Sequence, residues 1–211
     1  MEIRVVSLDF AGVIVSKDFI DYFWFVAIPK RLARLEKVPL YVAMKLVEEA
    51  YGRVPTNRLE WYLPSYWSKV FGLEHVIDEC IEESIHVAEV YGEVFEVLPK
   101  LATRYTVVIA TNTLRSFVER VLQRFGLDKY IRRVFTCIED VGEPRKSARF
   151  YSHIVEELGV KPQHVLHVGD DPRYDGEEPA RIGIRTLILD RSSRLSTAFK
   201  DLWSVLDILR S

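Results

Sequence analysis

Near its beginning the sequence reads Ile3-Arg-Val-Val-Ser-Leu-Asp9, an apolar run that ends at an acidic residue. A short run of this composition predicts a buried β-strand. Gly12 follows closely and predicts a turn after the strand. An acidic residue at the carboxyl end of a buried strand lies where open parallel sheets bind their ligands, so Asp9 is the first candidate functional residue.

Later segments predict more strands, and helices lie between them. The strand candidates are β-branched, apolar runs at Thr106–Ala110, Val134–Ile138, His164–Val168 and Thr186–Leu189. Amphipathic helices are predicted over Ser116–Phe125 and Phe150–Leu158, and each is followed by a glycine. This alternation predicts an α/β fold with a Rossmann-like core, in which a parallel sheet carries helices on both faces.

The segment between the first two strands has a different pattern. Residues from about 17 to 91 show helical spacing of apolar side chains, almost no strand signal, and several prolines that divide the helices. We therefore predict two domains. Residues 1–15 and 93–211 form the α/β core, and residues 16–92 form an inserted all-α domain.

Composition excludes some classes of function. The formal net charge of -2 over 211 residues argues against nucleic-acid binding, which calls for a basic patch. The most apolar later stretch, Phe19–Ile28, contains Asp21 and is too short to span a membrane. Cys80 and Cys137 lie far apart, with no CxxC partner, which favours a reducing compartment. We expect a cytoplasmic protein with a small-molecule partner, and the sequence leaves its oligomeric state open.

Polar residues cluster at the predicted strand ends. They are Asp9, Thr111, Asn112, Asp170 and Asp175, with Arg145 and Lys146 in the loop before the Phe150 helix. If the strands are neighbours, their ends form one pocket with three carboxylates, a hydroxyl and a cation. Clustered carboxylates repel each other, and Mg²⁺, which binds carboxylates together with substrate oxygens, would relieve the repulsion.

The order of these residues resembles the four motifs of the haloacid dehalogenase superfamily. The segment Ile109-Ala-Thr-Asn-Thr-Leu-Arg115 is similar to the second-motif region of that family. The segment Leu158-Gly-Val-Lys-Pro-Gln-His-Val-Leu-His-Val-Gly-Asp170 is similar to its run into the acidic motif. The resemblance covers about Glu2–Val15 and Val94–Asp190, and Lys17–Tyr91 falls where many members carry a helical cap.

The resemblance implies covalent catalysis. Asp9 would attack phosphorus or carbon and form an aspartyl intermediate, which divides one difficult displacement into two easier ones. Thr111 would donate a hydrogen bond to the transferred group, and Arg145 or Lys146 would offset negative charge. Ungapped family spacing places Arg145 where lysine is usual, and Lys146 fits only with a one-residue deletion; we favour Lys146 because lysine is the common type.

The same resemblance implies a metal site and a substrate site. Mg²⁺ would be held by Asp9, Asp170 and the backbone carbonyl of Ala11, with Asp175 in support. We assign Asn112, Gly12 and Lys45 to substrate binding.

Ala11 departs from the pattern of the phosphatases in this superfamily. They usually have a second Asp two residues after the nucleophile, which protonates the leaving group and then activates water. Alanine can do neither, although its carbonyl can still bind a metal.

Four functions are compatible with these residues. The first is a metal-dependent phosphatase acting on a small phosphorylated metabolite. The second is a phosphonatase-like hydrolase, because that family is similar in having Asp-x-Ala-Gly here; it needs a Schiff-base lysine, for which Lys45 is the best candidate. The third is a haloacid dehalogenase, against which Asp170 and Asp175 argue because those enzymes need no metal. The fourth is a binding or regulatory protein that has lost turnover.

Overall fold

The core of the protein is a five-stranded parallel sheet in the order β3-β2-β1-β4-β5. Its strands are β1 (Val5–Leu8), β2 (Thr106–Thr111), β3 (Arg133–Thr136), β4 (Val165–Gly169) and β5 (Arg185–Ile188). This computed structural model describes residues 2–191 and 199–210. The predicted α/β fold with a parallel Rossmann-like sheet is confirmed.

Helices connect the strands, and a final helix follows β5. They are α6 (Val94–Ala102), α7 (Arg115–Arg124), α8 (Cys137–Asp140), α9 (Ala148–Leu158), α10 (Glu178–Ala180) and α11 (Trp203–Arg210). Parallel connections are right-handed, so reversing direction across the sheet changes the face on which a helix packs. The chain moves outward from β1 to β2 and β3, then crosses back to β4 and β5. Helices α6 and α7 therefore cover one face, and α9 and α10, which pack together, cover the other.

Residues 17–89 contain only helices and turns. The α-helices are α1 (Asp18–Tyr22), α2 (Ile28–Glu36), α3 (Leu40–Gly52), α4 (Pro64–Phe71) and α5 (Ile77–His86), with one π-helical turn, Phe23–Ala27, between α1 and α2. Aromatic side chains make up much of the interior, where Tyr51 packs edge-on against Trp67 with ring centroids 4.6 Å apart. The Tyr51 hydroxyl donates to the carbonyl oxygen of Trp24 at 3.1 Å.

The chain divides into two compact units, one of Met1–Ser16 with Val90–Ser211 and the other of Lys17–Glu89. The assignment of these units as a core and an inserted cap domain remains our proposal. Over the described ranges, 2–191 and 199–210, no helix combines the length and apolarity needed to cross a membrane.

One predicted strand ends earlier than expected. Val134–Ile138 is largely apolar, but β3 ends at Thr136 and the next residues turn into α8. The Thr136 side chain accepts a hydrogen bond from the Glu139 backbone N–H at 3.0 Å and caps this helix. A local cap therefore overrides the strand propensity of the two residues that follow.

Candidate active site

Asp9 lies at the carboxyl end of β1, between the neighbouring strands β2 and β4. Its backbone N–H donates to the carbonyl of Val168 at 2.8 Å, which extends the pairing of β1 with β4 by one residue. The Phe10 N–H donates to Asp9 Oδ1 at 2.7 Å, and the residue is only 5% exposed. The chain then turns through Gly12, whose φ of 93° suits glycine. Asp9 thus holds a fixed carboxylate at the crevice where the strand order reverses.

Three carboxylates meet at this crevice. Asp9, Asp170 and Asp175 each place one oxygen so that all three atoms lie within 4.8 Å of one another. Asp9 and Asp175 are buried, and Asp170, which follows β4, is partly exposed. Oxygen donors of this kind suit a hard divalent cation, so the cluster could hold a metal ion.

Lys146 supplies a positive charge inside the cluster. Its Nζ lies 2.7 Å from Asp9 Oδ2 and also donates a hydrogen bond to Asp175 Oδ1. The side chain is 4% exposed, and the residue directly precedes the Ser147 cap of α9. The Ser147 hydroxyl accepts from the Phe150 N–H and caps α9. This cap fixes the start of the helix and, with it, the backbone position of the neighbouring Lys146.

Burial and ion pairing act in opposite directions on these groups. Burial raises the pKa of Asp9, and the Lys146 ammonium opposes this. Burial alone would also raise the pKa of Asp175, but Lys146 and His167 hold it well below its usual range. Burial would lower the pKa of Lys146, yet Asp175 and Asp9 keep it above its usual range. The lysine therefore stays charged, as a buried ion pair requires.

Asp175 is held by protein donors on both of its oxygens. Oδ1 accepts from Lys146 and from His167 Nε2 at 2.9 Å, and the Tyr151 hydroxyl lies 3.3 Å away. Oδ2 accepts from the Asp171 N–H at 3.0 Å. Both Asp175 oxygens therefore already have hydrogen-bond partners within the protein.

His167, Tyr151 and Ser7 were not among the candidate residues predicted from the sequence. All three belong to the hydrogen-bonded surroundings of Asp175. A signal was available, because Ser7 and His167 are polar residues inside otherwise apolar strands. The structure makes them direct partners in the β1–β4 register.

The remaining predicted residues of the core unit lie near the strand ends without joining the carboxylate cluster. Thr111 ends β2, is fully buried, and accepts a hydrogen bond from the Thr113 N–H at 3.2 Å. Asn112 and Ala11 are partly exposed, and Gly12 is buried.

The two cations between which the sequence left a choice have different surroundings. Lys146 contacts Asp9, whereas the Arg145 guanidinium lies 5.6 Å from the centroid of the Tyr174 ring. The geometry therefore favours Lys146 as the motif cation. Lys45 belongs to the other unit, on α3, and is solvent-exposed.

Comparison with known proteins gives consistent results. The haloacid dehalogenase-like hydrolase family matches residues 3–183. The chain is similar to the GMP/IMP nucleotidase YrfG of Escherichia coli, with 25% identity over 185 residues that cover 87% of this chain and 81% of that protein. It is also similar to the pyrophosphatase PpaX of Bacillus cereus, with 26% identity over 177 residues, 81% of this chain and 76% of that one.

A solved structure supports the fold. The HAD phosphatase from Thermococcus onnurineus superposes with a TM-score of 0.81 at 22% identity, and 98% of each chain is covered. The sequence match spans both the first strand with Asp9 and the acidic segment after β4, which are the parts that build the carboxylate cluster. The chain therefore belongs to the haloacid dehalogenase-like hydrolases.

Proposed function

We propose that this hydrolase is a Mg²⁺-dependent phosphatase that acts on a small phosphorylated metabolite and uses Asp9 as its nucleophile. The observation that carries the proposal is the contact between the Asp9 carboxylate and the buried Lys146 ammonium, beside Asp170. A carboxylate next to a fixed positive charge suits attack on an anionic phosphoryl group. The names of the nucleotidase and pyrophosphatase relatives point to the same class of substrate.

The reaction would proceed in two displacements. An Asp9 oxygen forms a bond to phosphorus while the bond from phosphorus to the ester oxygen breaks, and the leaving alcohol takes a proton from solvent or from another substrate group. Water then attacks the aspartyl-phosphate, loses a proton, and releases inorganic phosphate and the free Asp9 carboxylate. Throughout, Lys146 offsets the negative charge, and the Thr111 hydroxyl donates a hydrogen bond to a phosphoryl oxygen.

The donors present fit a magnesium ion. Asp9 and Asp170 supply hard oxygen atoms close together, and the carbonyl of Ala11 lies two residues beyond Asp9. When bound there, the cation would supply positive charge that stabilises the transferring group. Titration calorimetry should detect Mg²⁺ binding by the wild type and a large loss in the Asp9→Asn, Asp170→Asn double variant. Equal binding by both proteins would refute the site.

A substrate screen tests the function itself. We would measure release of inorganic phosphate from nucleoside monophosphates, pyrophosphate and other phosphorylated metabolites, with and without Mg²⁺. Haloacids and phosphonates serve as comparison substrates. Phosphate release that needs Mg²⁺ and disappears in Asp9→Asn is the expected result. Halide release without metal would instead support dehalogenase chemistry, and tight ligand binding without turnover would support a binding protein.

A phosphonatase is the second candidate function. The segment Asp9-Phe-Ala-Gly12 favours it, because the phosphonatase-like family is similar in having Asp-x-Ala-Gly here. It requires Lys45 to form a Schiff base with the aldehyde of the substrate. Borohydride trapping with phosphonoacetaldehyde, followed by peptide mass spectrometry, would place the label on Lys45. A protein that stays unlabelled, and does not cleave this compound, excludes the phosphonatase.

We also propose the cytoplasm as the compartment. Cys80 and Cys137 are both buried and unpaired, which suits a reducing environment.

A further inference from the structure

A buried series of hydrogen-bonded side chains lies behind the carboxylate cluster. Ser7 on β1 and His167 on β4 face each other, with Ser7 Oγ 2.9 Å from His167 Nδ1. On the other side of the ring, His167 Nε2 lies 2.9 Å from Asp175 Oδ1 and 3.0 Å from the Tyr151 hydroxyl. His167 is fully buried and Ser7 is 1% exposed. This series of hydrogen bonds therefore connects the middle of the sheet to the site.

The proton positions follow from the chemistry of the partners. A carboxylate can only accept, so His167 Nε2 carries a hydrogen and donates it to Asp175. The Ser7 hydroxyl can serve Nδ1 as either donor or acceptor. The Tyr151 hydroxyl donates to the carbonyl of Tyr174 at 2.9 Å. Each of the four buried side chains in this series thus has a hydrogen-bond partner, as stable burial requires.

Asp175 Oδ1 is shared by the imidazole and the Lys146 ammonium. We propose that His167 is a positioning residue, held in place by Ser7, that fixes the Asp175 carboxylate and through it the Lys146 ammonium against Asp9. The inference rests on the proposed function, because it assigns His167 a part in that reaction. Without the imidazole, Asp175 would lose one of its fixed donors and could rotate, and the flexible lysine would follow it.

Two substitutions of similar size separate positioning from packing. His167→Leu fills the space without a donor, and His167→Gln can donate from its amide nitrogen in place of Nε2. We expect His167→Leu to lower kcat by about 10- to 100-fold, the usual effect of losing a supporting partner, with little change in KM. We expect His167→Gln to recover part of the loss. A folded Leu variant with the kcat of the wild type, or a Gln variant as impaired as the Leu variant, would overturn the inference.

A second readout does not depend on turnover. Acetylation of Lys146 by an amine-reactive ester, measured by peptide mass spectrometry relative to the exposed Lys45, reports how firmly the ammonium is held. We expect slow labelling in the wild type and in His167→Gln, and faster labelling in His167→Leu. If labelling follows this order but the protein has no phosphatase activity, the positioning role is supported and the proposed function is contradicted. Unchanged labelling in a folded Leu variant would overturn the positioning role, whatever the activity.

Thermal unfolding of each variant serves as the folding control. If His167→Leu shows no cooperative transition, Ser7→Ala replaces it, since it keeps the imidazole and removes only its support. Faster labelling of Lys146 in Ser7→Ala supports the proposal, and labelling at the wild-type rate contradicts it.

Discussion

Ala11 is the residue at which this chain differs most from the phosphatases that it resembles. It follows Asp9, the proposed nucleophile, by two residues and is partly exposed. The proposed reaction needs proton transfer, and a methyl group can act neither as an acid nor as a base. A positioned acid or base contributes about 10²- to 10⁴-fold to such a step. The wild type should therefore hydrolyse generic phosphate esters slowly, and breakdown of the aspartyl-phosphate should be the slower step.

We predict that Ala11→Asp raises hydrolysis of para-nitrophenyl phosphate, because the new carboxylate can activate water. Ala11→Asn is the matched control, since it has the same shape without an acid. Steady-state rates at saturating Mg²⁺ are the measurement. Fast turnover by the wild type that falls on adding the Asp would show that another residue already transfers the proton.

The site also requires a glycine at position 169. A Cβ atom at this position would lie 2.1 Å from Asp175 Cγ, far inside van der Waals contact. Asp175 cannot yield easily, because its oxygens are held by Lys146, His167 and the Asp171 N–H. The absence of a side chain at the end of β4 therefore lets the acidic segment fold back onto the strand.

We predict that Gly169→Ala strongly lowers activity by displacing Asp175, and costs about 1–3 kcal/mol of stability, as overpacking usually does. Gly92→Ala is the matched control, because its Cβ would meet nothing within 4 Å. Denaturant unfolding and steady-state kinetics on both variants test this. A Gly169→Ala protein with the activity of the wild type would show that Asp175 can move without consequence.

At the scale of elements, α9 places Lys146. The helix begins at the Ser147 cap, one residue after the lysine, and ends at Gly159, which has a left-handed φ of 62°. A second element, the π-helical turn Pro172–Glu177, carries Asp175 back towards β4. The Asp171 side chain caps that turn by accepting from the Arg173 and Tyr174 N–H groups at 2.9 and 3.0 Å. Both partners of the buried ion pair are thus positioned by capped helical ends.

We predict that Gly159→Ala destabilises the protein by about 1 kcal/mol, because a left-handed backbone is unfavourable for residues with a Cβ. Gly52 is the matched control: a Cβ has open space at both positions, but Gly52 ends α3 without a positive φ. Gly52→Ala should leave stability unchanged or raise it. Equal effects of the two substitutions on the unfolding midpoint would contradict this explanation.

At the scale of the whole molecule, each compact unit contains one buried thiol. Cys80 lies on α5 and Cys137 begins α8, and both side chains are fully buried. Burial raises the pKa of Cys80 to about 11 and that of Cys137 to about 12. Because only the thiolate reacts, a raised pKa keeps both residues protonated and unreactive at neutral pH.

We predict that Ellman's reagent labels neither cysteine of the native protein at pH 8 and labels both in guanidinium chloride. The absorbance of the released thiolate is the measurement. Reactivity in the folded state should rise only as the pH approaches the raised pKa values. Rapid labelling of one thiol at pH 8 would show that its unit opens without global unfolding.

The order of the strands in the sheet also determines where the site lies. The chain leaves β1 towards β2 and β3 and returns to β4 on the other side of β1. The carboxyl ends of β1 and β4 therefore frame the crevice where connections diverge, and Asp9 and Asp170 follow those two strands.

The sequence by itself determined the α/β class, the five strands, and the candidate residues at their carboxyl ends. The reason is physical: buried parallel strands need apolar runs, and the polar residues that follow them have few other places to lie. Strand boundaries were predicted less accurately, as the short helix after Thr136 shows. There a single side-chain cap decided where the strand ends and the helix begins.

Only the tertiary structure decided which cation meets Asp9 and what holds Asp175. Arg145 and Lys146 are adjacent in sequence, and their different surroundings depend on where the Ser147 cap starts α9. The links from Ser7 through His167 to Asp175 join residues up to 168 positions apart in the chain, and their contact depends on the β1–β4 register. Hydrophobic periodicity records which side chains face the core, but it does not record which buried polar groups become partners, because that choice depends on distances fixed by the folded sheet.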